Sequence, residues 1–587
     1  MGLYTPQLAD IKHTLDHVVG LPGLIEDNVF PDLGLDTVDA VLAEAGRFSA
    51  EVIAPLNREG DRHGCRLDPA THAVTTAPGW KEAYAQWVGA GWGSLPCPPE
   101  YGGQGLPTVV SLAVQELWNT AASAYGIGTL LTQGAVDALA AHGSEALKET
   151  YLPKMVSGEW TGTMNLTEPQ AGSDLGSLKT KAERAGDGTY RITGTKIFIT
   201  YGEHDLTQNI VHLVLARLAD APEGTRGISL FLVPRGLPDG SRNDVKCIGL
   251  EEKLGIHGSP TCVMRFGDAG GAVGHLVGEE NRGLACMFTM MNNARLHVGM
   301  QGVAVAERAT QQAVAYARER RQGRRPGIDG AAPLIEHPDV RRMLMDMRAK
   351  TAAARAICYE TARALDLSEH AASEKERVEN AALAALLTPV AKAWSTDIGE
   401  EVATLGIQVH GGMGYIEETG AAQHLRDARI CRIYEGTNGI QAIDLVTRKL
   451  PLADFETVRG WLAGVRALAE DMAEDRMGEA AGIGLKLAEA VTALEDATGY
   501  LGGWLKEDPD RALGVATPYL ALFGLVAGGA GLAKGARALL AQGANDDFHV
   551  RLAAWFAFNH LPLAQGYRDI VEKGADTLLA VPPDLIG

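Results

Sequence analysis

The chain has 587 residues, of which 46% are apolar and 21% are charged, and its formal net charge is -20. This length predicts several domains or one large multilayer body, and the composition is ordinary for a globular protein. The negative charge argues against nonspecific binding to nucleic acid or to an anionic membrane, because both interactions favour a basic surface.

The cysteines indicate a reducing compartment. There are seven of them, an odd number, and none has CxxC spacing. We therefore expect a cytoplasmic location, no disulfide framework and no metal site. The segment 1–21 contains Asp10, Lys12 and Asp16 and has no continuous apolar core, so it is not typical of a secretory signal. The cysteines are Cys65, Cys97, Cys247, Cys262, Cys286, Cys358 and Cys431.

The first part of the chain has the pattern of a helical domain. After an N-terminal extension, 1–35, apolar residues recur at helical spacing from Val38 to Val52 behind Asp36, a predicted N-cap. Helical patterns continue to about Gly158, which predicts an N-terminal helical domain at 36–159.

The hydrophobic period then changes from 3.6 to 2, which predicts a middle β domain at 160–278. Asp187-Gly188 is typical of a hairpin turn. The predicted strands are 190–200, 211–216, 228–233 and 262–266.

Helices resume in 279–450, with long patterns at 301–320 and 337–365. Amphipathic stripes follow in 451–587 and indicate an added helical bundle. The predicted fold is therefore mainly α with an inserted β domain.

The stretch 512–533 carries no charge and is long enough to cross a membrane. It contains Pro518 and several glycines, and it lies between helices with polar faces. We therefore favour a buried bundle helix or helix pair over a membrane span.

A carboxylate at Glu435 is the strongest candidate for chemistry. It stands between an aromatic residue and Gly-Thr within 433–441, a segment otherwise rich in Ile, Tyr and Gly. A carboxylate withdrawn from water has a raised pKa and is a better base for a weak carbon acid. The alternative is a surface glutamate that caps the helix starting near Thr437.

Two segments suit a flat, heteroatom-rich ligand. In 161–174 the hydroxyls of Thr167 and Ser173 accompany Gly172, which exposes backbone N–H groups. Phe198 ends a predicted strand and offers an aromatic face for stacking. The alternatives are a Pro/Gly turn for the first segment and a core position for Phe198.

Taken together, these and other segments resemble the acyl-CoA dehydrogenase family over about residues 40–450. One such motif is weak evidence, whereas many in the same order are strong evidence. The segments are 100–103, 166–174, 196–200, 252–256, 278–283, 316–320, 408–414 and 433–441.

The resemblance implies a helical domain, a β-barrel or sandwich domain and a four-helix-bundle domain, with FAD as cofactor and Glu435 as catalytic base. It implies that Ser173, Arg295 and Gly436 lie near the acyl-CoA. The alternative for Arg295 is a structural ion pair. The residues implied to bind FAD, some of them from a neighbouring subunit, are Met164, Leu166, Thr167, Ser173, Phe198, Thr200, Arg320, Gln408, Gly411, Gly412 and Thr437.

The sequence departs from the family pattern in places. After Arg320-Arg321 the usual Phe is missing, so Gln322 is not assigned a role. His257 stands where many relatives have Arg, and His410 precedes a Gly pair. Acid–base and structural roles are both open for these histidines, and the structural role is favoured.

The opening segment, Met1-Gly2-Leu3-Tyr4, and the added C-terminal domain resemble a subgroup of the family. It includes dehydrogenases of 3-methylmercaptopropionyl-CoA, formed in dimethylsulfoniopropionate breakdown, and of medium- and long-chain fatty acyl-CoAs. The implied reaction is FAD-dependent α,β-dehydrogenation to the 2,3-enoyl-CoA, such as 3-methylthioacryloyl-CoA. Electron-transfer flavoprotein is the implied electron acceptor, and an acyl-CoA oxidase is the alternative. We expect the added bundle to cover a tetramer surface and leave a homodimer.

Two other classes compete with this interpretation. Gly529-Ala530-Gly531 with Gly535 loosely resembles a dinucleotide fingerprint, but no βαβ unit surrounds it. A non-catalytic acyl-CoA-binding protein would have lost the base, whereas Glu435 is present.

Overall fold

The computed structural model describes residues 4–474 and 479–587, so Met1-Gly2-Leu3 of the expected opening segment lies outside the described residues. The expected class, mainly α with an inserted β domain and an extra helical bundle, is confirmed. The finer domain boundaries stay predictions. The chain divides into two compact units: a helical unit of Met1–Gly46, Thr108–Thr120 and Arg295–Gly587, and a β unit of Arg47–Pro107 and Ala121–Ala294.

The helices that precede the main sheet are joined by short 3-10 and π-helical turns and by a small hairpin of β1 and β2. They are α1 (Leu8–His13), α2 (Leu21–Glu26), α3 (Leu35–Phe48), α4 (Ala54–His63), α5 (Trp80–Gly89), α6 (Thr108–His142) and α7 (Glu145–Val156). Strands β1 and β2 are Arg66–Leu67 and Val74–Thr75.

Helix α6 belongs to both units. Its backbone breaks at Ala122, where φ is -158° and ψ is 100°, next to the boundary between the units. In the helical unit, the buried carboxylate of Asp366 accepts hydrogen bonds from the N–H groups of Thr108 (2.6 Å) and Val109 (3.0 Å). These two donors have no partner inside the helix, so the carboxylate stabilises its start.

The β unit contains an eight-stranded sheet in the order β10-β7-β6-β4-β5-β9-β8, with β3 paired to β6. Because β10 also pairs with β5, the strands β4, β5, β10, β7 and β6 close a ring. Closure leaves no unpaired edge inside the ring. The strands are β3 (Trp160–Asn165), β4 (Lys181–Arg184), β5 (Tyr190–Thr200), β6 (Asn209–Leu218), β7 (Ile228–Pro234), β8 (Val245–Leu250), β9 (Thr261–Phe266) and β10 (Ala272–Val277).

The helices after the sheet include a long antiparallel pair, α9 and α10, joined by a short turn. Ser373 and Glu376 form a capping box at the start of α10, which fixes the direction of that helix. The helices are α8 (Gly283–Glu319), α9 (Pro338–His370), α10 (Glu374–His410), α11 (Ala421–Arg429) and α12 (Asn438–Asp444).

The amphipathic stripes in the tail form helices, as expected. They are α13 (Glu456–Glu474), α14 (Glu479–Glu507), α15 (Pro509–Gly514), α16 (Ala516–Ala541), α17 (Phe548–Asn559) and α18 (Leu563–Leu579).

The uncharged stretch of the tail breaks near Val515 into α15 and α16. By length and composition alone α16 could cross a membrane, but 78% of its apolar window is buried inside the protein. Its glycines allow close packing on α9 and α10. A β-carbon built at Gly524 would lie 2.2 Å from Cγ of Trp394, and one at Gly531 would lie 2.5 Å from Cβ of Ala356. The stretch is a core helix of the bundle, and its glycines are not a dinucleotide-binding loop.

The N-terminal segment and the tail meet on α9. Asp10 accepts hydrogen bonds from Arg348 of α9 (3.0 Å) and contacts Nε2 of His549 in α17 (3.1 Å). The ring of His13 stacks on that of His549 with centroids 3.8 Å apart. A β-carbon at Gly535 of α16 would lie 2.8 Å from Nε2 of His13. Both ends of the chain therefore depend on each other for packing.

Some local expectations were wrong. Asp36 lies inside α3 instead of capping it, because the helix already begins at Leu35. Helix α8 begins at Gly283, close to the expected return of helices near 280, and it is longer than the pattern at 301–320 indicated. Strands β1, β2, β3, β4, β8 and β10 were not predicted. β3 is almost wholly buried between neighbours and lacks the alternation of polar and apolar residues that marks a half-exposed strand.

We expect Gly524→Ala to lower the free energy of unfolding by about 2 kcal/mol, because the added methyl group overlaps the Trp394 ring. Gly499→Ala in α14 is the matched control, since open space surrounds that position. It should stabilise the protein by about 0.5–1 kcal/mol through helix propensity. Chemical denaturation measures both. Equal effects of the two substitutions would contradict the close packing of α16.

Candidate active site

Glu435 lies in a tight turn of the helical unit just before α12. Its φ is +53°, and the φ of Gly436 is +85°, so two successive residues are left-handed. This conformation costs a residue with a side chain roughly 1–2 kcal/mol. The helix is capped by Thr437, whose Oγ1 accepts the N–H of Ile440 (3.3 Å). Glu435 is therefore not the cap of α12, and strain of this kind is common at functional sites.

The carboxyl group of Glu435 is poorly solvated. The residue is only partly exposed, and burial raises its pKa to about 7, although the nearby charges of Arg295 and Lys392 act in the opposite direction. A carboxyl with this pKa exchanges protons near neutral pH, which is the property required of a general base.

Arg295 lies on α8 beside the turn. A β-carbon built on Gly436 would be 3.8 Å from its Nη2, and its Nη1 is 3.7 Å from Oδ2 of Asp444. Both members of this ion pair are buried. Arg295 is thus paired structurally and also contributes charge at Glu435, and its contact with acyl-CoA stays a prediction.

Helix α10 supports the turn from below. Nζ of Lys392 donates hydrogen bonds to the carbonyl oxygen of Gly436 (2.8 Å) and to Oδ1 of Asn438 (2.9 Å). Nδ2 of Asn438 donates to the carbonyl of Ala393 (3.1 Å) and to Asp397 (2.8 Å). On the other side, Nε2 of Gln441 reaches the carbonyl oxygens of Glu435 and Gly436, at 3.3 Å each.

In the β unit, a buried ion pair holds the loop that follows β3. Nζ of Lys196 donates to Oε1 of Glu168 and to the carbonyl of Leu166, both at 2.9 Å. Burial alone would raise the pKa of Glu168, but Lys196 and the N–H groups of Lys179 and Thr180 lower it to about 2. The carboxylate is therefore ionised and fully bonded, and it fixes the loop against β5.

Next to this loop, β5 carries a bulge between Lys196 and Ile199. At the bulge Phe198 adopts φ +59°, and its side chain is 58% exposed. The N–H of Ile197 donates to the carbonyl of Thr167 (2.9 Å), so the loop and the bulge are adjacent. Backbone strain of this kind is common at ligand-binding sites, and the exposed ring offers an aromatic face for stacking.

The other residues expected to bind the flavin lie on the same strands and loop. Met164, Leu166, Thr167 and Thr200 are partly exposed, and Ser173 is fully exposed. Apolar side chains, hydroxyls and an aromatic face therefore occur together with open surface. This donor set fits a planar isoalloxazine ring, which needs apolar contact and a few hydrogen bonds.

The residues expected to meet FAD from a neighbouring subunit lie in the helical unit. Arg320 and Gln408 are exposed, and Nη2 of Arg320 contacts Oε1 of Gln322 at 3.4 Å. No hydrogen bond joins Arg320 to Gln408 within the described residues. A β-carbon added at Gly411 or Gly412 would meet no atom within 4 Å. The end of α10 thus has open space, which suits a phosphate-bearing group.

The two histidines make structural contacts. Nε2 of His257 contacts the carbonyl of Lys253 (2.7 Å), and Nδ1 contacts the backbone carbonyl of Asp61 (3.0 Å). Nδ1 of His410 contacts the carbonyl of Gly406 (2.7 Å), and its ring stacks on Tyr316 with centroids 4.4 Å apart. Burial lowers the pKa of His410.

The sequence patterns indicated Glu435, Gly436, Thr437 and Arg295, which the structure brings together. They did not indicate Lys392, Asn438 or Gln441. A lysine within the apolar run 389–394 is the one available signal for Lys392, since such a residue needs partners. Among residues 4–474 and 479–587, no group of three or more His, Cys, Asp or Glu side chains is arranged to hold a metal ion.

The sequence matches four family profiles that together cover most of the chain. They are the acyl-CoA dehydrogenase N-terminal domain at 36–159, the middle domain at 163–269, the C-terminal domain at 281–450 and an acetyl-CoA dehydrogenase C-terminal like domain at 461–582.

Among curated proteins, the chain is 48% identical over 558 residues to 3-methylmercaptopropionyl-CoA dehydrogenase of Ruegeria pomeroyi, covering 93% of each chain. It is 33% identical over 612 residues to the broad-specificity linear acyl-CoA dehydrogenase FadE5 of Mycobacterium tuberculosis, covering 97% of this chain and 98% of the other. The crystal structure of an acyl-CoA dehydrogenase complexed with FAD from Bacillus anthracis aligns with a TM-score of 0.73 at 22% identity, over 94% and 90% of the two chains. The chain belongs to the acyl-CoA dehydrogenase family and is an FAD-dependent oxidoreductase.

Proposed function

We propose that this enzyme dehydrogenates 3-methylmercaptopropionyl-CoA to 3-methylthioacryloyl-CoA, with Glu435 as the base that removes the α-proton. The observation that carries the base assignment is the partly buried carboxyl in a left-handed turn, with a pKa of about 7. The substrate assignment is supported by 48% identity to the Ruegeria pomeroyi enzyme.

A second substrate class is a medium- or long-chain fatty acyl-CoA. The observation in its favour is near full-length similarity to an enzyme with broad specificity for linear acyl-CoAs. Both classes share the thioester and the α C–H bond, so Glu435 has the same role in each.

The side chains and backbone around Glu435 perform the acid–base part of the reaction. Within the described ranges 4–474 and 479–587, the backbone N–H of Glu435 has no backbone acceptor, and we assign it to the thioester carbonyl. A hydrogen bond there stabilises the charge that develops as the α-proton leaves. The carboxylate of Glu435 accepts that proton, and Arg295 lies beside the turn that carries it.

FAD, when bound, supplies the two-electron oxidation that side chains cannot perform. We assign FAD contacts to Met164, Leu166, Thr167, Ser173, Phe198 and Thr200 of the β unit and to Thr437 of the helical unit. We assign the FAD phosphates and adenosine of a second subunit to Arg320, Gln408, Gly411 and Gly412. The exposed Phe198 and the open space above the glycines support these roles.

We further propose electron-transfer flavoprotein as the electron acceptor, which distinguishes this enzyme from the alternative, an acyl-CoA oxidase. A cytoplasmic location fits the seven free cysteines, of which six are buried.

We propose that the enzyme is a homodimer. The added bundle occupies one face of the α9–α10 pair, with α16 packed on Ala353, Ala356 and Trp394. A face covered in this way is not free for a second pair of subunits. Sedimentation equilibrium of the FAD-loaded enzyme should give twice the mass of one chain, and a tetramer would contradict the proposal.

The base assignment is tested with Glu435→Gln. This variant should retain yellow FAD but should not bleach when 3-methylmercaptopropionyl-CoA is added without oxygen, because amides do not accept the α-proton. Glu456→Gln, at an exposed glutamate paired with Arg459, is the control and should bleach like the wild type. Normal bleaching of Glu435→Gln would exclude the assignment.

Steady-state assays of the wild type rank the candidate substrates. A panel of linear acyl-CoAs of graded length is compared with 3-methylmercaptopropionyl-CoA by kcat/KM. The proposed substrate should rank first, and a higher value for a long linear chain would favour the second class.

The raised pKa of Glu435 also predicts a pH-dependent stability. The ordinary pKa of a glutamate is 4.5, and the pKa of Glu435 in the folded protein is about 7. Between these two pH values the folded protein keeps a proton that the unfolded chain releases. The free energy of unfolding therefore falls as pH rises through this window. Glu435→Gln cannot lose that proton, so its stability relative to wild type should increase by about 1–3 kcal/mol between pH 5 and pH 8. Chemical denaturation of both proteins at the two pH values measures this, and a constant difference would show an ordinary carboxyl pKa.

A further inference from the structure

Lys392 is a fully buried cation directly under the turn that carries Glu435. Its relative exposure is 0%, and it lies on α10 among Val390, Ala391 and Ala393. Burial of an ammonium group is costly unless it is paired and hydrogen-bonded. Within the described residues, no carboxylate lies within 4 Å of its Nζ, whose acceptors are the Gly436 carbonyl and the Asn438 amide. The buried ammonium group is therefore stabilised by two neutral acceptors instead of an ion pair.

The acceptors of Lys392 are parts of the strained turn. The Gly436 carbonyl belongs to the second of two left-handed residues. The Asn438 side chain is bound on its other atom to α10 through Ala393, Thr396 and Asp397. Lys392 thus connects the turn to the rigid helix at two points, and its loss would remove the one bond that ties the Gly436 carbonyl to α10 among the described residues.

The positive charge of Lys392 acts on Glu435 because the other charged groups near the turn are paired with each other. The groups that interact with Lys392 are Cys431, Glu435, Asp397 and Arg295, and those that interact with Glu435 are Arg295 and Lys392. Arg295 has Asp444 as its partner, and Asp397 has Arg432.

We infer that Lys392 is a positioning residue for the proposed reaction: its two hydrogen bonds hold the turn that aims Glu435, and its charge favours the ionised carboxylate. This inference rests on the proposed function of Glu435 as base.

Two consequences follow for pH. Burial lowers the pKa of Lys392 to about 8, so the group is charged at neutral pH. Removing the charge leaves Arg295 as the remaining nearby cation, and the pKa of Glu435 should rise above its value of about 7.

The test compares Lys392→Met with Asn438→Ala and Lys534→Met. The first removes the charge and both bonds, and the second removes one acceptor and keeps the charge. The third removes a lysine that pairs with Glu360 in the bundle. The pKa of Glu435 is read from infrared difference titration against Glu435→Gln, and activity is measured as kcat and KM from pH 5 to 9.

For Lys392→Met we expect the pKa of Glu435 and the acid limb of kcat to move up by about one pH unit. At pH 7, kcat should fall about fivefold to tenfold, with KM changed less than about threefold, because chemistry and not binding is affected. Asn438→Ala should lower kcat without shifting the pKa. Lys534→Met should match the wild type in both measurements.

An unshifted Glu435 pKa in Lys392→Met would overturn the inference. If that variant does not fold, Lys392→Gln, which removes the charge and keeps a donor, gives the same comparison. The infrared titration separates the two proposals. If Lys392→Met shifts the pKa of Glu435 but the enzyme turns over no acyl-CoA, the charge effect of Lys392 is supported and the proposed function is contradicted. If the enzyme is active and Lys392→Met leaves the pKa of Glu435 unshifted, only the inference about Lys392 is contradicted.

Discussion

The fold of the helical unit serves to keep one carboxyl group away from water without leaving it uncompensated. Desolvation pushes the pKa of Glu435 upward, while Arg295 from α8 and Lys392 from α10 limit the rise, so the value settles near neutrality. A carboxyl group needs both effects to act as a base near neutral pH. A fully solvated carboxylate has a low pKa and is too weak a base, whereas a carboxyl group that desolvation keeps neutral cannot accept a proton. The helices α8, α10 and α12 must therefore pack correctly around a single backbone turn. The hydrogen bonds of Lys392, Asn438 and Gln441 connect that turn to α10 and α12.

The β unit solves a similar problem with the opposite outcome. Glu168 is also buried, but Lys196 and two backbone N–H groups bind it so completely that it stays ionised. Such a pair adds little net stability, yet breaking it would leave a buried charge. Its effect is geometric, since it fixes the loop beside the bulge that presents Phe198. Two buried glutamates in one chain thus differ in role because of their bonding.

The sequence allowed the class of fold, the tail helices and the segment that carries the proposed base to be predicted, because these depend on local motifs and periodicity. The strand 190–200 alternates and was predicted with its bounds, whereas β3 is buried on both sides and was missed. The surroundings of Glu435 were out of reach for a different reason. Lys392 and Asp444 are recognisable as neighbours only after α10 and α12 have packed. For 512–533 the proline, the glycines and the flanking polar helices favoured a buried helix, and the close approach of Gly524 to Trp394 agrees with that.

The meeting of the N-terminal segment and the tail on α9 has a consequence for truncated chains. Asp10 and His13 gain their partners from α17 and α16, and those helices in turn bury surface against the N-terminal segment. Removing α17 would take the His549 contact from Asp10, which keeps Arg348, and would uncover the stacked ring of His13. The two segments, although separated by the whole length of the chain, therefore share one packed region, and shortening the chain at one end should weaken the packing of the other.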